Sequence, residues 1–244
     1  MDLKEAIEAR YSRRNYLTTS LDLEVVAQLQ HLIVQYAEEA GARIELVLDN
    51  GAAFEGFRRS YGMFKGVRHY LGLIHEKDDV ATAERLGYYG ELLVLHAVTL
   101  GLGTCWVSGS FDRKACPFSL SESETILSTI VVGNVEQGES SKERFIRKRV
   151  SLKRKPVAEM LSSDVEAPDW LLSGMRAVQL APSAANRQPA LFSYKEGHLS
   201  AGTEHGESTS YALDLGIAKC NFEIGAGGGS WAWGNNAEFT RHGA

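Results

Sequence analysis

Apolar positions recur along this chain at two periods, and the switches between them outline its elements. Leu3, Ala6 and Ile7 follow Asp2 at helical spacing, which predicts a short capped helix at the start. Asp22 is placed to open a second helix, with Leu23, Val26, Leu29, Ile33 and Tyr36 on one face and Gly41 as its stop. Residues 43–49 alternate like a half-buried strand that ends at Asn50-Gly51, and 69–75 reads as another strand. The strongest helical pattern covers 84–100 and is stopped by Gly101 and Gly103. Residues 128–135, rich in Thr, Ile and Val, predict a strand. Further on come a helix over 168–180, a loop over 182–189, and a hairpin of 191–195 and 198–201 turned at Glu196-Gly197. A helix over 214–224 and a glycine-rich run at 225–229 lead into a tail bearing Trp231 and Trp233. This irregular alternation favours a layered α+β domain over a regular doubly wound sheet.

Composition narrows the picture. With 244 residues, 44% of them apolar, the chain can bury a core without help from disulfides or metal. A net charge of −5, from 26 basic and 31 acidic residues, gives no reason to expect a nucleic-acid partner. Cys105, Cys116 and Cys220 are scattered and odd in number, which fits a reduced, cytoplasmic setting better than a disulfide scaffold or a zinc site. The start is polar, and the longest apolar stretch, 92–102, is broken by His96, Thr99 and Gly101. It is too short to cross a bilayer, so it reads as a buried helix with His96 as a core or wall residue, and no membrane partner is expected. The one compositional shift is the basic run 142–155. It divides a single intertwined domain into a first half of about 1–140, a connection over 141–155 and a second half over 156–244.

Three segments carry candidate chemistry, and the two glycine clusters do not. Gly101-Leu102-Gly103 lacks the third glycine of a dinucleotide fingerprint and follows a helix where that motif must follow a strand; the 225–229 run fails on the same ground. Arg10, Ser12 and Arg14 alternate, so in an extended turn their side chains converge on one side, where two guanidiniums and a hydroxyl suit a phosphate; a solvated basic turn is the plainer alternative. In the loop 181–189, prolines stiffen both ends, small Ser183, Ala184 and Ala185 permit close backbone approach, and Asn186 and Gln188 can bond the edge of a heterocycle. The plainer reading of that loop is a turn into a strand. Residues 104–111 leave a buried helix and present Trp106, Ser108 and Gly109, whose missing side chain leaves its N–H approachable, or else they form a simple helix exit.

Taken together and in this order, Ile7–Arg14, Gly87–Glu91 with Gly101–Trp106, Ala181–Pro189 and Leu213–Ala218 resemble the nitroreductase family, in the branch that joins two half-domains in one chain. The resemblance implies a three-layer α+β nitroreductase-like fold, with a mostly antiparallel mixed sheet flanked by helices and an intrachain pseudo-dimer. It implies FMN as cofactor and NAD(P)H as electron donor. In ordinary members the proline–serine–asparagine loop follows the N-terminal motif closely and two subunits share each flavin. Here that loop comes only after residue 180, so the second half is expected to replace the partner subunit, one FMN per chain. Carried over by position, Arg10, Ser12 and Arg14 match the phosphate ligands, and Lys153-Arg154-Lys155 sits where further ones lie, with Lys153 and Lys155 as candidates. Ser183, Ala184, Asn186 and Gln188 match the ring-binding loop, Gly109 the backbone N–H that approaches the reactive flavin nitrogen, and Arg187 is a candidate for the pyrimidine edge. Two positions depart from the family: Ala190 stands where a tryptophan follows Gln-Pro, and Ser108 where an acidic residue precedes the glycine.

The activity this implies is hydride transfer from NAD(P)H through flavin N5 to a small acceptor such as a nitroaromatic or quinone, with ping-pong exchange at one open face and no named catalytic side chain. The alternatives are a flavin-binding protein without turnover, a relative of the fold that has lost its cofactor, or other chemistry on the same fold such as dehalogenation or flavin breakdown, for which a lid over 52–66 would be the sign. The expected molecule is a monomer with an internal pseudo-dimer, or a homodimer.

Overall fold

A computed structural model of the chain describes residues 1–55, 63–151 and 153–242. Helix α1 (Leu3–Ala9) starts with a capping box: Asp2 accepts from the Glu5 N–H at 2.7 Å, and the Glu5 carboxylate accepts from the Asp2 N–H at 2.9 Å. Helix α2 (Leu23–Ala40) is capped by Asp22 and ends at Gly41, whose φ of +63° is the left-handed stop the sequence predicts. Leu29, Ile33 and Tyr36 are buried on its inner face; Leu23, expected on that face, is the first helical residue and is exposed.

The first sheet has the order β1-β2-β4-β3, all antiparallel, from β1 (Arg43–Val47), β2 (His69–Glu76), β3 (Gly103–Val107) and β4 (Glu124–Gly133). Its strand β2 is covered on both faces, by Leu71 and Leu73 packing on one side and Tyr70 and Ile74 on the other, which is why it reads as a continuous apolar run. Helix α3 (Val80–Thr99), capped by Asp79, lies on one face of this sheet through Leu86 and Leu93. It begins four residues earlier than the apolar pattern shows, since Asp79 and not the first apolar residue sets its start.

The basic run begins as a helix, α4 (Ser141–Ser151), where a connection was expected. After the four-residue α5 (Val157–Met160) and α6 (Asp169–Val178) comes the hairpin of β6 (Leu191–Lys195) and β7 (His198–Gly202). Glu196 and Gly197 turn it with φ of +52° and +85°, the left-handed pair that a two-residue hairpin turn requires. The second sheet, β5-β6-β7-β9-β8, adds β5 (Leu161–Ser163), parallel to β6, and two tail strands, β8 (Ser230–Trp231) and β9 (Ala237–Thr240).

Helix α7 (Thr209–Ala226) packs on the second sheet through Phe222, against Phe192, Trp231 and Phe239, and crosses α3 on its other side. The crossing is close. A Cβ on Gly216 would lie 1.9 Å from the Glu84 carbonyl oxygen, and one on Gly87 2.1 Å from that of Leu213. The architecture is therefore α+β in three layers, with the crossed helices between two antiparallel-rich sheets, one sheet from each half of the chain. Among the described residues no helix is long and apolar enough to cross a membrane.

Candidate functional site

The N-terminal turn settles beside the first sheet through backbone pairing. Ser12 bridges Thr104 at the start of β3, and the Arg13 N–H donates to the Thr104 carbonyl at 2.8 Å. In this extended stretch the alternation holds: Arg10, Ser12 and Arg14 face one cleft, while Arg13 points away to Glu143 at 3.3 Å. Glu143, at the N-terminal end of α4, also accepts from the backbone N–H of Arg14 at 2.7 Å and of Asn15 at 3.2 Å. Its burial favours the neutral acid, but those N–H groups, Ser140 and Arg13 outweigh it and hold the carboxyl at about 2.

The cleft has a volume of about 630 Å³, within the range of small-molecule sites. One end is cationic. Arg10 is steadied by buried Glu91 at 3.9 Å and donates to the Leu180 carbonyl at 3.3 Å, so it joins the two halves of the chain. Arg14, Lys153 and Arg154 also line it, and among the described residues none of the three has a carboxylate partner. Partial burial and the positive charges of Arg10 and Arg147 push the Arg154 pKa down, as expected where like charges are gathered with no anion between them.

The opposite wall comes from the second half. Ser183, Ala184, Ala185 and Asn186 line the cleft, and Ala185 and Asn186 hold φ of +50° and +56°. Such left-handed backbone is unfavourable without glycine and persists only where surroundings enforce it. Asp214 on α7 supplies part of that enforcement, accepting from the Ala184 N–H at 3.1 Å and from Arg187 Nε at 2.7 Å. Burial raises the Asp214 pKa against the pull of Arg187. The side-chain amide nitrogen of Asn186, a residue that lines the cleft, is buried without any hydrogen-bond partner. Trp106 and Gly109 close the β3 side; Trp106 Nε1 donates to Glu91 at 2.7 Å, and a Cβ on Gly109 would have no atom within 4 Å.

The family model described as "Putative TM nitroreductase" matches residues 2–226. The chain belongs to this nitroreductase family. A crystal structure of a "putative nitroreductase" from Thermotoga maritima is similar over 98% of this chain and 92% of its own, with 23% identity and a TM-score of 0.69, which shows the shared fold. A nitroreductase family protein from Clostridium difficile matches 68% of this chain and all of its own, at 19% identity and a TM-score of 0.49. A putative nitroreductase from Desulfovibrio desulfuricans, solved in complex with FMN, matches 69% of this chain and 98% of its own, at 18% identity and a TM-score of 0.48. No curated protein matches the chain.

The cleft gathers most of the residues singled out from the sequence: Arg10, Ser12, Arg14, Gly109, Lys153, Ser183, Ala184 and Asn186. Three stand elsewhere. The Lys155 ammonium donates to the Gln188 carbonyl at 3.0 Å, and the Gln188 amide accepts from the Lys155 N–H at 2.9 Å and donates to the Lys153 carbonyl at 2.9 Å. These two side chains clamp the connection onto the loop and are used up in doing so. Arg187 is turned from the cleft by Asp214 and by Tyr211, whose ring lies 4.0 Å from its guanidinium carbon. Of the basic triplet, Lys153 and Arg154 are the two that face the cleft. Of the lid stretch 52–66, residues 56–62 lie outside the described residues; Met63 and Phe64 line the cleft.

The structure gives roles to residues for which the sequence alone shows none. Glu91 and Asp214 are buried carboxylates inside helices, and only their partners, Arg10 and Arg187, reveal their purpose. Phe145, Ile146 and Arg149 bring one face of α4 to the cleft. Their i, i+1, i+4 spacing is a helical signal set within a run whose charge masks it.

Proposed function

We propose that the cleft holds FMN and that the protein is an FMN-dependent NAD(P)H oxidoreductase. The carrying observation is that one cavity is built jointly by cations without carboxylate partners from one end and by a strained loop with an unpartnered amide from the other half. A phosphate ester suits the first and the acceptor edge of a heterocycle the second. Arg10, Ser12, Arg14, Lys153 and Arg154 would hold the phosphate. Asn186 would donate to the ring edge, Ser183 and Ala184 would pack alongside it, and the open space at Gly109 would let its backbone N–H approach. The flavin, when bound, supplies hydride acceptance at N5 from NAD(P)H and delivery to a small acceptor such as a nitroaromatic or quinone. Among the described residues Asp214 is the carboxylate that lines the cleft, and it is held by Arg187 and Ala184, so the protein's part is binding, orientation and electrostatics.

Because both halves furnish the walls, the reading assigns one flavin to each chain, with the second half in place of a partner subunit and a small-molecule acceptor as the expected partner. Cys105, Cys116 and Cys220 are all free, which supports a reducing, cytoplasmic setting. The test is the visible spectrum of protein mixed with FMN and passed through gel filtration, followed by anaerobic NADH or NADPH. Retained flavin near one per chain that bleaches with the donor is expected. Colourless protein would overturn the cofactor assignment, and retained flavin that no nicotinamide bleaches would leave a binder without turnover.

A further inference from the structure

The flavin reading leaves one face of the cleft without a task. Phe145 on α4 is 62% exposed, a large aromatic side chain presented to solvent from a helix that also carries Lys142, Arg144, Arg147, Lys148 and Arg149. Four residues on, at the spacing that stacks side chains on one helical face, Arg149 places its guanidinium carbon 5.5 Å from the centre of the Phe145 ring. Both residues line the cleft, and among the described residues Arg149 has no carboxylate partner. A phosphate monoester of charge near −2 is already matched by Arg14, Lys153 and Arg154 together with the half-neutralised Arg10, so Arg149 stands in excess of what the flavin phosphate needs.

An exposed aromatic face beside an unpaired guanidinium is the chemistry of a stacked base with a neighbouring phosphate. A neutral nitroaromatic or quinone acceptor carries no anionic group to match the full charge of the guanidinium. We infer that the Phe145–Arg149 face of α4 docks the adenosine-phosphate half of the nicotinamide dinucleotide, with the base against Phe145 and a phosphate on Arg149. This rests on the flavin reading, because the donor must thread its nicotinamide end into the same cleft. The helix is fixed for the purpose. Glu143 ties it to the N-terminal turn, and Arg147 pairs with Glu139 on the segment leading into it.

The experiment uses protein saturated with FMN and three variants, Phe145→Ala, Arg149→Gln and, as a charge control on the same helix, Arg144→Gln. Two readouts are taken: calorimetric binding of ADP, and KM for NADH and NADPH against KM for reduced nicotinamide mononucleotide, which lacks the adenylate. In Phe145→Ala and Arg149→Gln, ADP affinity should fall and dinucleotide KM rise by at least about fivefold, the lower end of a stacking or charge-assisted contact. KM for the mononucleotide and flavin retention should stay as in the wild type, and Arg144→Gln should change neither readout. Unaltered ADP binding in the two variants, equal KM increases for truncated and full donors, or loss of flavin would overturn the assignment. Wild-type protein that oxidises no donor would count against the redox reading alone, since the ADP titration still decides the docking face.

Discussion

At the residue scale, the cleft depends on side chains that never reach it. Glu143 is the clearest: buried, ionised down to about pH 2, bonded to Arg13 and accepting from the backbone N–H groups of Arg14 and Asn15. A carboxyl whose folded pKa lies below its unfolded value near 4.5 contributes stability that is complete above that value. The contribution is lost as pH falls through the folded pKa. Glu143→Gln should therefore cost about 1–3 kcal/mol in urea unfolding at pH 7, and the gap from wild type should shrink between about pH 4.5 and 2. A gap that is constant across that range would mean the charge of Glu143 is irrelevant to its role. Arg14 tests the cleft itself. Arg14→Ala should weaken FMN binding by roughly 1.5–3 kcal/mol in a flavin-fluorescence titration, and unchanged affinity would remove Arg14 from the phosphate site. The Arg10–Ser12–Arg14 alternation was legible because an extended backbone has a fixed period of two. Glu91, Asp214 and Glu143 were not, because a carboxylate in a helix looks like surface until the cation or N–H it accepts from is known.

At the scale of elements, the long helices, the central strands and the hairpin were legible, and what escaped is instructive. Strand β3 has five residues and opens with glycine straight after a helix stop, so nothing local separates it from a loop; its pairing with β4 decides it. The tail strands are shorter still and form only because β7 offers an edge. Helix α4 was hidden by its charge, which masks the short apolar face it turns to the cleft. The α3–α7 crossing carries a prediction of its own, since it sets Leu213, Asp214 and Ile217 along the cleft. Gly216 meets backbone atoms of α3, not flexible side-chain ends, so an added methyl cannot be absorbed locally. Gly216→Ala should cost at least about 1–3 kcal/mol and reduce flavin retention through displacement of Asp214 and the loop it holds. Gly138→Ala, where a Cβ would have open space, is the contrast: its left-handed φ of +90° makes it strained, but it should not alter the crossing. If Gly216→Ala is as stable as wild type and keeps its flavin, the helices are not in the close contact that defines the cleft floor.

At the scale of the whole molecule, the two halves are joined by buried polar contacts as well as by the helix crossing. Lys219 on α7 is fully buried and meets Glu84 on α3 at 2.5 Å. The tail closes over the pair: Lys219 donates to the carbonyls of Ala232 and Gly234, and the Gly234 N–H donates to the other Glu84 oxygen at 2.8 Å. Burial pushes the Lys219 pKa down while Glu84 pulls it back up. Removing one member leaves an uncompensated charge in the interior, and Lys219→Met or Glu84→Leu alone should cost about 3–5 kcal/mol. An isolated ion pair replaced on both sides by apolar residues often recovers all of this. Here the double variant would strand two tail carbonyls and one N–H that now find partners on the pair. Lys219→Met/Glu84→Leu should thus be more stable than either single variant yet remain about 1–3 kcal/mol below wild type, with the deficit lying in the tail. Urea unfolding gives the coupling, and hydrogen exchange at Trp231 and Gly234 locates the deficit. Strictly additive losses would show that the pair does not act as a unit. Full recovery with a protected tail would show instead that the tail is held by its β9 pairing and needs no polar anchor between the halves.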